Sequence, residues 1–422
     1  MHTEMNIPTM QASNDEISTV HSVQDSVQDS VEEENTMKWY EKIHWLKMTV
    51  VVIFPLLATF STFWVPLQRK TTIFAIGYSF LKGISITTGY HRLWSHKSFS
   101  AGKPLQIFLA LFGAGAGQGS IKVWCREHRA HHRYVDTDQD PYNVAKGLFH
   151  SHIGWIIFKQ DLDRIGRVNI EDFKQDSIVQ WQARYYWQLF LIMSYILPTV
   201  IAGLGWNDWY GGLIYGGLLG TAIIQQRTFC INSLAHYFGD QPYDSVKSAR
   251  DNFLVALITL GEGYHNFHHE FPNDWRNGIE WYDYDPTKWL IWLCNKLGLA
   301  SNLNAFPANV IQKNWLQQCQ KRLDQQFQTM TWGVPLAGLP IMPWEEYTAQ
   351  KTLKLILIED IVYDITSFIE KHPGGAALIR SGVGKDATGL FNGDVYRHSQ
   401  AARNLLSDKR VAVIKRADTL KI

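Results

Sequence analysis

The sequence predicts an α-helical integral membrane protein, with four transmembrane helices and a helical cap, followed by a small α+β domain. Three observations predict this. Four runs with few or no charges approach or reach the length that crosses a bilayer, histidines cluster in the polar stretches beside those runs, and beyond a proline-punctuated linker the pattern changes to short apolar strands and short helices. The 422 residues hold 40 Lys+Arg against 39 Asp+Glu, so no bulk charge favours nucleic acid, and none is expected as a partner. The four cysteines, Cys125, Cys230, Cys294 and Cys319, have no regular spacing, which argues against a disulfide framework or a thiolate zinc site.

Residues 1–37 carry eight acidic residues and no Lys or Arg, and include the degenerate repeat Ser22-Val-Gln-Asp-Ser-Val-Gln-Asp29. Such a segment buries too little apolar surface to order itself and is expected to be a disordered acidic tail. It lacks the basic start and apolar run of a cleaved signal.

The first apolar run, Met48–Leu67, is uncharged over 20 residues, and Thr71–Tyr90 is broken only by Lys82. Tyr185–Trp206 and the shorter Gly211–Gln226 form a second pair, and Trp64, Trp206, Trp209 and Tyr210 stand at run ends as an aromatic belt would. Two transmembrane hairpins are expected. Pro104–Ile121 is also uncharged, but crossing there would put the histidine motifs on its two sides into different compartments. It is expected to be interfacial or re-entrant, its glycines serving close helix packing. The stretch from His91 to Arg184 holds thirteen Lys+Arg and nine Asp+Glu, as a cytosolic segment would, whereas Arg69-Lys70 runs against the positive-inside rule. The pairing of hairpins is therefore set by the need to bring the histidines together.

Those histidines fall into His91-x4-His96, His128-x2-His131-His132 and His265-x2-His268-His269, with His236 alone in Asn232-Ser-Leu-Ala-His236. Spacings of i, i+3 and i+4 place the three histidines of a box on one helical face. Neutral imidazole donates a nitrogen lone pair and suits zinc, copper, iron or nickel. Nine imidazoles exceed one first shell, so two metals are expected. Zinc is less attractive, because its structural sites close at four ligands and its catalytic sites use three, and iron with oxygen chemistry is favoured. His150 and His152 do not repeat the spacing and are expected to hydrogen-bond or face solvent.

These boxes, with Thr88-Gly-Tyr-His91, Asp140-Pro-Tyr142, Ser151-His-Ile-Gly-Trp155, Gln241-Pro-Tyr-Asp244 and Gly261-Glu-Gly-Tyr264, resemble the membrane acyl-CoA Δ9 desaturases of stearoyl-CoA desaturase type, from about Trp39 to Leu316. Ile279-Glu-Trp-Tyr282 and Asp285-Pro-Thr-Lys-Trp289 resemble the fungal branch. The resemblance implies a di-iron centre on the cytosolic face of the endoplasmic reticulum membrane, with both termini cytosolic. It implies one iron on His91, His96, His128, His132 and His269, and the other on His131, His236, His265 and His268, with Asn232 reaching the second through water. It implies O2-dependent insertion of a cis double bond between C9 and C10 of a saturated fatty acyl-CoA, with Trp124, Arg126 and Lys159 near the CoA moiety. Gly119 stands where animal members have a CoA-contacting Asn. The family's acyl tunnel ends against the helix leading to His91, where Ser79 and Gly83 are small, so a deep tunnel floor is expected.

His372-Pro-Gly-Gly375 alone could be a turn. With Val362-Tyr-Asp-Ile-Thr-Ser-Phe368 before it and Gly384-Lys-Asp-Ala-Thr388, Phe391 and His398 after it, the stretch from about Pro343 to Val413 resembles a cytochrome b5 domain. That implies a b-type haem with His372 and His398 as axial ligands, and an NADH-linked cytochrome b5 reductase as electron source. The expected organisation is an acidic tail at 1–37, a membrane di-iron desaturase domain at 38–316, a helix and linker at 317–342 and a haem domain at 343–418. Two other readings are a His-box desaturase or hydroxylase acting on another lipid or position, and a membrane haem protein that carries electrons and stores metal.

Overall fold

The computed structural model describes residues 38–350, 352–393 and 397–414. The acidic tail, Tyr396 and residues 415–418 lie outside them. The chain divides after Gln318 into two compact units.

In the first unit, helix α1 (Trp45–Ser61) precedes α2 (Arg69–Ser85), which runs on into a π-helical stretch, Ile86–Ser95. A hairpin partner, α5 (Tyr186–Trp206), leads through Asn207 in the left-handed conformation, which Asn tolerates at a helix end, to the helical stretch 209–237, whose last part is α6 (Gly220–Tyr237). The two turns are tied together: Trp206 Nε1 donates to Thr71 Oγ1 at 2.8 Å, and the Thr71 hydroxyl donates to Asp208. Trp206 thus has a polar partner at the end of its run.

Of the four apolar runs, the one in α5 forms a helix that is by itself long and apolar enough to cross a bilayer, and α1 is shorter. The second and fourth runs are each the apolar part of a longer helix whose other end is polar and carries His91 or His236, so their mean hydropathy is diluted. Helix α3 (Lys103–Ala114) has 12 residues, about 18 Å of rise and too short for a hydrocarbon layer of about 30 Å. Pro104 opens it, and Gly113 lets it close on Tyr90, whose ring would lie 2.5 Å from an added Cβ. These residues do serve helix packing, as the glycine run suggests.

The cap is built from α4 (Ile121–Tyr134), α7 (Phe253–Thr259), α8 (His265–Glu270) and α9 (Pro286–Lys296). A core of Tyr90, Trp94, Leu109, Ile121, Ile224 and Ile291 joins it to the long helices. Two residues from each end close it, β1 (Ser100–Ala101) pairing antiparallel with β2 (Ala300–Ser301). A Cβ on Gly83 would meet Leu260 Cδ1 at 2.9 Å and Ile224 Cδ1 at 3.1 Å, and Ser79 Oγ lies 2.6 Å from the corresponding point on Gly220. Small residues at these positions let neighbouring segments approach closely.

Helix α10 (Ala308–Thr329) straddles the division between the units and begins before the helix and linker expected at 317–342. The second unit has a four-stranded sheet in the order β3-β6-β5-β4, from β3 (Ile341–Met342), β4 (Leu355–Ile358), β5 (Ile361–Asp364) and β6 (Arg410–Ile414). Only β3 and β6 run parallel. Short helices, among them Ala376–Ser381 and Gln400–Ser407, stand on one side over a core of Ile356, Tyr363, Ile365 and Phe391.

Candidate metal centre

Each histidine box reaches the centre by a local rule. His91 and His96 are five apart, a spacing an α-helix would put about 140° apart. The π-helical stretch resolves this: His96 N–H donates to His91 O at 3.1 Å, an i to i+5 bond that brings the two rings within 4.8 Å. The other two boxes lie on α4 and α8, and His236 near the end of α6.

Together the nine rings form two groups, each with its donor atoms within 4.8 Å of one another: His91, His96, His128, His132 and His268, and His131, His236, His265 and His269. His268 and His269 therefore exchange the places that the resemblance implied. The reason is helical phase. Residues i and i+4 are about 40° apart, and i+3 falls about 60° to the other side. Each H-x2-H-H box straddles the seam between the groups, giving its outer pair to one and its middle histidine to the other. The boxes do so reciprocally, with 128/132 in the five-donor group and 265/269 in the four-donor group.

The donor set would fit one metal ion in each group. Nε2 atoms face each other at 2.8 Å for His91–His268 and His96–His128, 3.0 Å for His268–His132 and His236–His265, 3.1 Å for His265–His269 and 3.2 Å for His131–His269. Bonds of about 2.1 Å put octahedral neighbours about 3.0 Å apart and tetrahedral ones about 3.4 Å apart. Burial, reinforced by neighbouring imidazoles, pushes His96, His128, His132, His236, His268 and His269 well below the usual histidine range, and His265 to about 3. These seven rings are held neutral, the form that binds a metal.

Behind the rings stand acids. Glu262 Oε2 lies 2.9 Å from His91 Nδ1, and both oxygens of Asp140 lie 3.0 Å from His131 Nδ1. Burial would raise the Glu262 carboxyl, but His91 and Arg92 outweigh it and bring it to about 2. Arg92, almost fully buried, bridges Glu262 and Asp285. These acids were not among the expected site residues, although Asp140 and Glu262 lie inside two of the stretches that carry the resemblance.

Trp124 stacks on His128 at 4.8 Å and donates to Gln118 at 3.1 Å. Asn232, one turn before His236, lines a small cavity with Gln118, Trp124, Glu127 and Thr228. Arg126 pairs with Glu127 at 3.4 Å, and Lys159 sits apart, exposed beside Tyr40, His44 and Trp45. His152 bonds Ser233 Oγ at 2.9 Å and Gln226 Oε1 at 3.0 Å, outside both groups.

In the second unit, His372 and His398 face each other across a cavity of about 680 Å³ lined by Ile356, Phe368, Leu378, Leu390 and Phe391. Their ring centroids are 6.2 Å apart. Two metal–imidazole bonds of about 2.0 Å plus the half-widths of two rings span about the same distance, so the pair fits a metal between them. Each Nδ1 faces a backbone carbonyl, Gly375 O at 3.2 Å and Phe391 O at 3.0 Å, which leaves Nε2 turned to the cavity.

Comparison with known proteins agrees with this geometry. The fatty acid desaturase family profile matches residues 70–300, and that of the cytochrome b5-like heme/steroid binding domain matches 344–415. The chain is 50% identical over 378 residues to the probable acyl-CoA desaturase of Schizosaccharomyces pombe, covering 89% of this chain and 78% of that protein. It is 46% identical to acyl-CoA desaturase 1 of Saccharomyces cerevisiae, covering 89% and 75%, and 36% identical to stearoyl-CoA desaturase 5 of Homo sapiens, covering 62% and 81%. With two buried histidine groups suited to a di-iron site and a haem-type cavity between two further histidines, the chain belongs to the fatty acid desaturase family, in the form fused to a cytochrome b5-like domain.

Proposed function

We propose that the protein is an acyl-CoA desaturase that places a cis double bond between C9 and C10 of saturated fatty acyl-CoA, stearoyl and palmitoyl among them. The observation that carries this is the division of nine imidazoles, eight of them buried, into adjacent groups of five and four. When bound there, two iron ions supply the O2-dependent removal of two hydrogens from an unactivated chain, chemistry beyond any side chain.

The residues hold and shield. The histidines present neutral nitrogens, and Glu262 and Asp140 fix the orientation of His91 and His131. Asn232, one turn before His236, is assigned to the four-donor group through water. Trp124 walls the five-donor group and, with Arg126 and Lys159, is assigned to the CoA moiety, whose phosphates suit basic groups. Burial of the rings keeps bulk water from the reacting carbons.

His372 and His398 would hold a b-type haem between them, and a haem held by two imidazoles would supply electron transfer and not O2 binding. The fusion keeps this carrier at roughly millimolar effective concentration, and a cytochrome b5 reductase using NADH is the proposed source. Four spans, an endoplasmic reticulum location and cytosolic termini complete the reading, supported by the four apolar runs and the family. Expression in a host lacking its own Δ9 desaturase, followed by gas chromatography of fatty-acid methyl esters, tests it. A rise in 9-cis monoenes is expected, and hydroxylated or differently placed products would favour another His-box activity.

A further inference from the structure

We infer that the loop at residues 135–142 is the positioning device for the four-donor metal group, orienting His131 through Asp140 and His236 through a Ser248 hydroxyl held by Asp136. This rests on the di-iron reading above and concerns residues outside the expected ligand set.

The contacts form one connected system. His236 Nδ1 lies 2.7 Å from Ser248 Oγ, and the Ser248 hydroxyl and N–H both donate to Asp136, at 2.5 and 2.7 Å. The Asp136 N–H in turn donates to Asp140 Oδ2 at 3.2 Å, and Asp140 faces His131 Nδ1. Because Nε2 of both rings points into the donor group, each Nδ1 carries the hydrogen. His131 donates to Asp140, and His236 donates to Ser248, whose own proton goes to Asp136. Both rings are thereby locked in one tautomer and one orientation.

Asp136 pays a backbone cost for its place, with φ at +65° in the left-handed region, where Asp is one of the few tolerated side chains. Its carboxylate, bonded at both oxygens to Ser248, holds that conformation. Among the described residues nothing comparable supports the other half of the group, where neither His265 Nδ1 nor His269 Nδ1 has a hydrogen-bond partner. The five-donor group is braced from a different element, by Glu262 on His91. The two groups are therefore separately addressable, and damage to the 135–142 system should loosen one ion and spare the other.

The test uses the full-length protein as wild type, Ser248→Ala and Ser248→Thr, each dialysed against a chelator. Iron per chain is measured and haem iron subtracted from the absorbance of the second unit. Wild type is expected to keep two non-haem irons. Ser248→Ala should bind one of them about 10–100-fold more weakly and keep about one. Ser248→Thr, which retains the hydroxyl, should return to two, and the metal-stripped Ser248→Ala protein should melt no more than about 4 °C below wild type, the effect of one lost hydrogen bond. The inference is overturned if Ser248→Ala keeps both irons as tightly as wild type, if it loses both together, if Thr fails to restore the second, or if the metal-stripped Ser248→Ala protein melts further below wild type than that, which would mark a merely structural role. A wild-type protein holding no non-haem iron would instead overturn the di-iron reading itself.

Discussion

Glu262 Oε2 lies 2.9 Å from Nδ1 of His91, and the same carboxylate reaches Arg92 with its other oxygen at 3.0 Å. One buried acid thus serves both a member of the five-donor group and the cation that joins α2's extension to Asp285. Glu262→Gln should weaken iron in that group about 10–100-fold and cost roughly 1–3 kcal/mol of stability, since Arg92 keeps Asp285. Chelator titration and denaturant unfolding of the purified variant measure the two effects.

His131→Ala and His268→Ala each remove one donor, from the four-donor and five-donor groups respectively. Desaturation should fall to background in both, with the protein still inserted in the membrane. Iron retention should separate them: three remaining donors hold less firmly than four, so His131→Ala should lose iron at the lower chelator concentration. Substantial activity in either variant would contradict a two-metal centre.

Acid should release iron and destabilise the first unit together. Histidines held below their ordinary value of 6.5 stay neutral in the fold while the unfolded chain takes up protons below about pH 6.5. The unfolded state then binds more protons, so stability falls as pH drops from about 6.5 towards the folded value of about 3 for His265, by about 1.4 kcal/mol per ring per pH unit at most. Protons also compete with the metal for the same nitrogens. Iron content and melting temperature between pH 7.5 and 5.5 should fall together.

His372→Ala or His398→Ala should abolish the bis-imidazole haem spectrum and leave the non-haem iron count unchanged, because the two sites lie in separate compact units. Desaturation should drop sharply, and free cytochrome b5 in excess should restore part of it. Wild-type rates from His372→Ala in cells without another cytochrome b5 would show that this unit is not the obligatory donor.

At Gly83 the effect should be on packing. Gly83→Val places atoms where Leu260 and Ile224 already stand, and should destabilise by about 1–3 kcal/mol, with little change in the ratio of 18- to 16-carbon products among surviving enzyme. Thermal unfolding in detergent and product analysis would separate this from a tunnel effect.

Residue type and spacing along the chain were enough to name nine histidines as a two-metal set and to foresee the short helices of the second unit, whereas His372 and His398 were singled out by the resemblance of their surroundings to a cytochrome b5 domain. These are local properties, legible because helix periodicity and turn chemistry act over a few residues. What the tertiary structure alone decided was which metal each ring serves, since the phase of α4 against α8 places His268 and His269 in opposite groups. It also decided how a five-residue spacing could work, through a π-helical i to i+5 bond at His91 and His96. The braces were hidden for the same reason: Asp136 meets Ser248 across 112 residues and Arg92 meets Asp285 across 193, and no local pattern encodes an encounter that exists only once helices have packed.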